Sequence, residues 1–132
     1  MKALAMMGAL FLLTGCATTH EAKVDSDLGA ITLPDGTTYV GDLVNGVPEG
    51  YGTLKTTEGT YTGAIKQGKA HGFGQTVTND GAVYEGEHRH GEFHGRGKLT
   101  LSDGSFFIGQ MRHNKVGKGT MFLNDGRAVD LR

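Results

Sequence analysis

The sequence predicts an all-β protein, a single elongated twisted sheet of tandem antiparallel hairpins preceded by a short N-terminal signal segment. Three observations predict it. A Y-x-G or F-x-G opening recurs at Tyr39, Tyr61, Tyr84 and Phe107, with successive starts 22, 23 and 23 residues apart. Each opening is followed by G-x-G (Gly50 and Gly52, Gly72 and Gly74, Gly95 and Gly97, Gly117 and Gly119) and then by Glu58-Gly59, Asp80-Gly81, Asp103-Gly104 or Asp125-Gly126. The chain carries 23 glycines but only 2 prolines, a composition suited to turns rather than to packed helices or a proline-rich linker. A self-similar period of this length marks a stacked array, because one short unit cannot bury its apolar face without neighbours.

The elements follow in chain order. Residues 1–15 carry one positive charge, Lys2, and an apolar run from Ala3 to Leu13. That run is too short to span a bilayer comfortably and reads as a secretory signal. Cys16 is the only cysteine, so no disulfide forms within one chain. Residues 16–28 are polar and aperiodic, a linker whose stretch from Ala17 to Asp27 can reach about 36 to 40 Å. Residues 29–132 form the repeat domain. Gly29 to Thr38 is a partial N-terminal cap, a second strand plus turn with Ile31 and Leu33 facing inward. Repeats then run over 39–60, 61–83, 84–106 and 107–128, and residues 129–132 form a C-terminal cap strand, with Leu131 where a fifth repeat would place glycine.

In the third repeat, Tyr84 to Arg89 and Arg96 to Ser102 read as strands joined by a turn from His90 to Gly95. Alternation places Tyr84, Gly86 and His88 on one face and Glu85, Glu87 and Arg89 on the other. The buried face carries the aromatics together with Leu43, Ile65 and Met111, and second strands add Leu54, Leu99, Leu101, Met121 and Leu123. Repeat two offers Thr76 and Thr78 instead and has the thinnest core. Asp-Gly between strands signals tight turns. The glycine two residues after each aromatic lets the ring lie across the strand. A one-sheet array keeps its edges, which invites edge pairing into a homodimer.

Chemistry is sparse. With 13 basic and 14 acidic residues there is no electrostatic footprint for nucleic acid. His94 to Lys98 (H-G-R-G-K) lacks the G-x-x-x-x-G-K-[ST] spacing of a phosphate loop, so the glycines read as turns and no cofactor is expected. Ser26, Ser102 and Ser105 lie outside any G-x-S-x-G, and the acidic groups fall in turns, so no enzyme is expected. His88, His90 and His94 are weak metal candidates. Zinc prefers three or four convergent ligands, and repeat-equivalent positions sit two strands apart, roughly 9.6 Å. Lys66, Arg89 and Arg112 hold the sixth position of repeats two to four and form an outward basic column, a candidate contact for membrane lipid head groups, lipopolysaccharide, cell wall or an acidic partner. The plainer reading of that column is a solvated strand face diluted by Glu85 and Glu87.

Two resemblances extend this reading. Leu13-Thr14-Gly15-Cys16 resembles a bacterial lipobox. This implies cleavage between Gly15 and Cys16, lipidation of Cys16, and a membrane anchor. Ala17 in the following position points, in a Gram-negative cell, to a periplasm-facing lipoprotein of the outer membrane. The alternative is an ordinary signal peptide with a chance cysteine. The pattern Y-x-G-x-x-x-x-G-x-x-x-G-x-G with a later D-G, over residues 39–126, resembles the MORN repeat family. That resemblance implies successive hairpins in one sheet and a role in protein-protein or membrane-lipid contact, here expected with another envelope protein. The family's frequent Trp at the fifth position is Leu43, Ile65, His88 and Met111 in this chain, and repeat four lacks one residue before Gly117.

Overall fold

The computed structural model describes residues 29–132. The signal segment, Gly15, Cys16 and the linker lie outside the described residues. The domain is one sheet of 10 strands, each hydrogen-bonded to its neighbours in chain order. They are β1 (Gly29–Thr32), β2 (Thr38–Val44), β3 (Val47–Lys55), β4 (Gly59–Lys66), β5 (Lys69–Thr78), β6 (Val83–Arg89), β7 (Glu92–Thr100), β8 (Phe106–Arg112), β9 (Lys115–Phe122) and β10 (Ala128–Leu131). Every pairing is antiparallel.

Two rows of side chains run across all ten strands. One is Ile31, Tyr39, Leu54, Tyr61, Thr76, Tyr84, Leu99, Phe107, Met121 and Val129, each opposite the next. The other, two residues along, is glycine on the first nine strands, from Gly29 to Gly119, and ends at Leu131. The aromatic rings lie over this glycine row. A Cβ on Gly97 would stand 2.3 Å from Tyr84 Oη, closer than packed atoms can approach. The glycines therefore vacate the space that Tyr39, Tyr84 and Phe107 fill, and these three are the largest fully buried side chains.

Two kinds of turn alternate, and their assignment corrects the sequence expectation. The tight two-residue turns are Asn45-Gly46, Gln67-Gly68, His90-Gly91 and His113-Asn114, all with positive φ at both residues. Such turns match the right-handed twist of the strands they join. The turn expected over His90 to Gly95 therefore closes at Gly91, and β7 begins at Glu92. The Asp-Gly pairs make wider loops instead. In Leu101 to Ser105, Leu101 N–H bonds Ser105 O, Gly104 N–H bonds Leu101 O, and Ser105 N–H reaches Asp103 Oδ1 at 2.8 Å. Leu101, expected in the core, heads this loop and is exposed. Glu58-Gly59 is not equivalent. Thr56 N–H bonds Gly59 O directly, so this loop is one residue shorter, which accounts for the 22-residue first spacing.

Each first-to-second strand pair also contains a bulge that strict alternation hides. Between Gly86 and His88 the register shifts, so Glu87 opposes His94, Gly95 and Arg96. The tyrosine hydroxyl closes this gap. Tyr84 Oη lies 3.0 Å from Glu87 O and 3.4 Å from Arg96 O, sharing its hydrogen between strands. Tyr39 and Tyr61 do the same with Asp42 O and Tyr51 O, and with Ala64 O and Phe73 O. Burial holds all three phenols up to about 12. In repeat four Phe107 has no hydroxyl, and there the bulge is one residue shorter, Gln110 opposing only Gly117 and Lys118.

Candidate functional site

The inner face is not continuously apolar. One core cluster contains Tyr39, Leu54, Tyr61, Ile65 and Ala70, with Ile31, Leu33 and Leu43 against it. A second contains Tyr84, Phe107 and Met111, with Phe93, Leu99, Met121 and Leu131. The break falls at repeat two, where Thr76 takes the place of Leu54 and Leu99, in line with the thin core read from Thr76 and Thr78.

His88 occupies that break. It is 4% exposed, at a position that is Leu43, Ile65 or Met111 in the other repeats. Its Nδ1 lies 3.0 Å from Gly86 O and its Nε2 3.0 Å from Thr76 Oγ1. A neutral ring with its hydrogen on Nδ1 satisfies both. The rings of Tyr61, Tyr84 and Phe93 stand edge-on around it at 4.6, 5.1 and 5.5 Å. Burial lowers the His88 pKa from its ordinary 6.5, opposed by the carbonyls of Gly86 and Gly72. A lone charge in such surroundings is costly, so His88 joins two apolar clusters as a neutral polar link.

Over the break lies a cleft of about 450 Å³, floored by Leu54, Tyr61, Ala70, Thr76, His88 and Phe93. Its ends are the two kinds of turn: Asp35, Thr56, Glu58 and Thr78 on one side, Lys69, His90, Gly91 and Asn114 on the other. The floor offers aromatic edges and its rim offers hydroxyl, amide and charged groups, the mix that seats a chain segment with apolar side chains and a hydrogen-bonding backbone.

The other predicted histidines are apart from His88. The His90 ring lies tilted against His71 at 5.2 Å, and His94 meets His113 edge-on at 5.0 Å, one repeat further on. His71 Nδ1 accepts a 3.5 Å hydrogen bond from His90 N–H. His71 is held below its ordinary value by partial burial, then by His90, Lys66 and Arg89. His94 Nδ1 is buried without a hydrogen-bond partner. No group of three or more metal-ligating side chains converges among the described residues.

Lys66, Arg89 and Arg112 are all exposed and end β4, β6 and β8 beside the tight turns. Their cross-strand partners are Lys69, Glu92 and Lys115, so the strip holds five cations to one carboxylate. That carboxylate is engaged by His113 Nδ1 at 2.9 Å. Glu87, expected to dilute the column, turns instead onto its own bulge, where Glu87 Oε2 accepts Arg96 N–H at 3.1 Å. Asp42 does the same for Tyr51 N–H in repeat one.

The middle residues of G-x-G form an outer row that sequence reading passed over: Tyr51, Phe73, Arg96 and Lys118. Tyr51 and Phe73 are 58% and 67% exposed, while Arg96 and Lys118 are exposed cations. Aligning these positions across the repeats was the signal available.

A family model described as MORN repeat matches residues 39–60, 61–83, 84–106 and 107–126. No curated protein matches the chain.

Proposed function

We propose, from the premise that this chain belongs to the MORN repeat family, that it is a non-enzymatic binding scaffold of a bacterial envelope, tethered through acylated Cys16, whose inner-face cleft receives a segment of another envelope protein. Repeats of this family generally serve as non-enzymatic binding units. The cleft over the Thr76–His88 break carries the reading, because half-buried Thr76 and Phe93 on its floor lie beside hydroxyl, amide and charged groups on its rim. The anchor rests on Leu13 to Cys16 alone. It is tested by Cys16→Ser, which should abolish lipid labelling and move the protein out of the membrane fraction. Unchanged processing and fractionation would remove the tether from the account.

A second reading, direct contact with anionic lipid head groups, is favoured by the basic strip from Lys66 to Lys115. Co-sedimentation of the unacylated protein with anionic vesicles, with Lys66, Arg89 and Arg112 reversed to Glu, tests it. Salt-sensitive binding lost on reversal supports lipid contact, since exposed charges are screened within about 10 Å at 0.1 M salt. No binding at low salt eliminates it.

A further inference from the structure

The two ends of the sheet are complementary halves of one repeat. Along the sheet, strands that open a repeat (β2, β4, β6, β8) alternate with strands that close one (β3, β5, β7, β9), and every neighbour of one kind is of the other. β1 is a closing strand, since Ile31 stands opposite Tyr39 as Leu54 stands opposite Tyr61. β10 is an opening strand, since Val129 follows Met121 in the row as Tyr61 follows Leu54. Among the described residues, neither has a second neighbour. We propose that β10 of one molecule pairs with β1 of the next, completing a hairpin unit in trans and continuing the sheet head to tail.

The register of the nine existing pairs specifies the contact. Ile31 of the second copy falls opposite Val129, Ala30 opposite Asp130, and Gly29 opposite Leu131. Val129 is 43% exposed and would gain an apolar cross-strand partner on the inner face, a type of pair that stabilises sheets. The even number of strands keeps both strand direction and the inner face consistent from copy to copy. Leu131 ends the glycine row where no ring needs the space, because Val129 replaces the aromatic. It packs on the second core cluster instead and lies opposite glycine of the neighbour. A symmetric β10–β10 pair that set Val129 against Leu131 would bring Asp130 directly against its own copy, an unfavourable like-charge opposition. A heterologous contact of this kind does not close at two copies and grows as an open chain.

Sedimentation velocity of the full chain over a wide concentration range tests this with two exposed outer-face substitutions. Ala30→Asp sets an acid against Asp130 of the neighbour and should raise the concentration for association about twofold to fivefold. Asp130→Lys in the same chain turns that opposition into attraction and should restore association. Mixing a chain bearing only Ala30→Asp with one bearing only Asp130→Lys should favour mixed contacts. Growth past the dimer that follows this pattern, and whose charge dependence fades in high salt, supports the proposal. A monomer at all concentrations, growth that stops at two copies, or association indifferent to the exchange overturns it.

Discussion

Tyr84 shows how one side chain serves two needs of the repeat. Its ring fills the space above Gly86 and Gly97, and its hydroxyl holds the bulge by Glu87 O and Arg96 O. Tyr84→Phe keeps the first role and removes the second, so stability in urea unfolding should fall by about 0.5–1.5 kcal/mol. Phe107→Tyr should give no matching gain, because the shorter bulge of repeat four presents no equivalent pair of carbonyls; a gain of similar size would contradict the clamp. His88 contributes a pH dependence whose sign follows from burial. Its folded pKa lies below the ordinary 6.5, so the unfolded chain takes up the proton first and stability falls as pH drops below about 6.5. His71 shifts in the same direction and adds to the slope. Replacing His88 by Leu together with Thr76→Val, which leaves no hydroxyl stranded, should flatten the change in unfolding midpoint between about pH 7.5 and pH 5. An unchanged slope would place the dependence elsewhere. The opposite limb belongs to the phenols: with folded values near about 12, they withdraw stability as pH rises above about 10.

At the scale of the hairpin, the tight turns rather than the Asp-Gly loops demand positive φ at two successive residues. Gln67 is the least suited to this, with φ 51° and a long side chain. Gln67→Asn should stabilise the protein by up to about 1 kcal/mol, since Asn tolerates the left-handed region; thermal unfolding measures it, and destabilisation would indicate an unrecognised contact of the Gln67 side chain. The same scale shows what was legible in the sequence. The repeat period, the strand pairing and the aromatic-over-glycine packing could all be read, because each is a recurring spacing. The bulge could not, because period-two alternation counts every residue once. Alternation alone therefore assigns Gly95 to a turn although it sits in β7, and Glu87 to the open outer face although its carboxylate caps Arg96 N–H. The acidic-glycine pairs were grouped by identity, which concealed that Gly59 opens a strand. His88 was visible as a departure from Leu43, Ile65 and Met111, but its partners come from Thr76 and Phe93 on neighbouring strands, a juxtaposition that only the register supplies.

Across the whole molecule, the array is one sheet with two apolar clusters rather than one, and the polar link between them coincides with the cleft. A repeat protein is stabilised by contacts between adjacent units, so a weak junction is tolerated where the interface on either side is strong. The junction is kept open for a partner segment, with Lys69 of the basic strip on the cleft rim, and the outer row of Tyr51, Phe73, Arg96 and Lys118 lies outside that contact. The distinction can be measured by placing a photo-crosslinking side chain, in the full-length protein in intact cells, at Lys69 or Thr78 on the cleft rim and at Thr53 or Ile108 on the outer face. One discrete protein adduct is expected from the two cleft positions, shared between them and absent from the outer ones. Adducts confined to the outer positions, or none from the cleft while the anchored protein is present in the envelope, would contradict it.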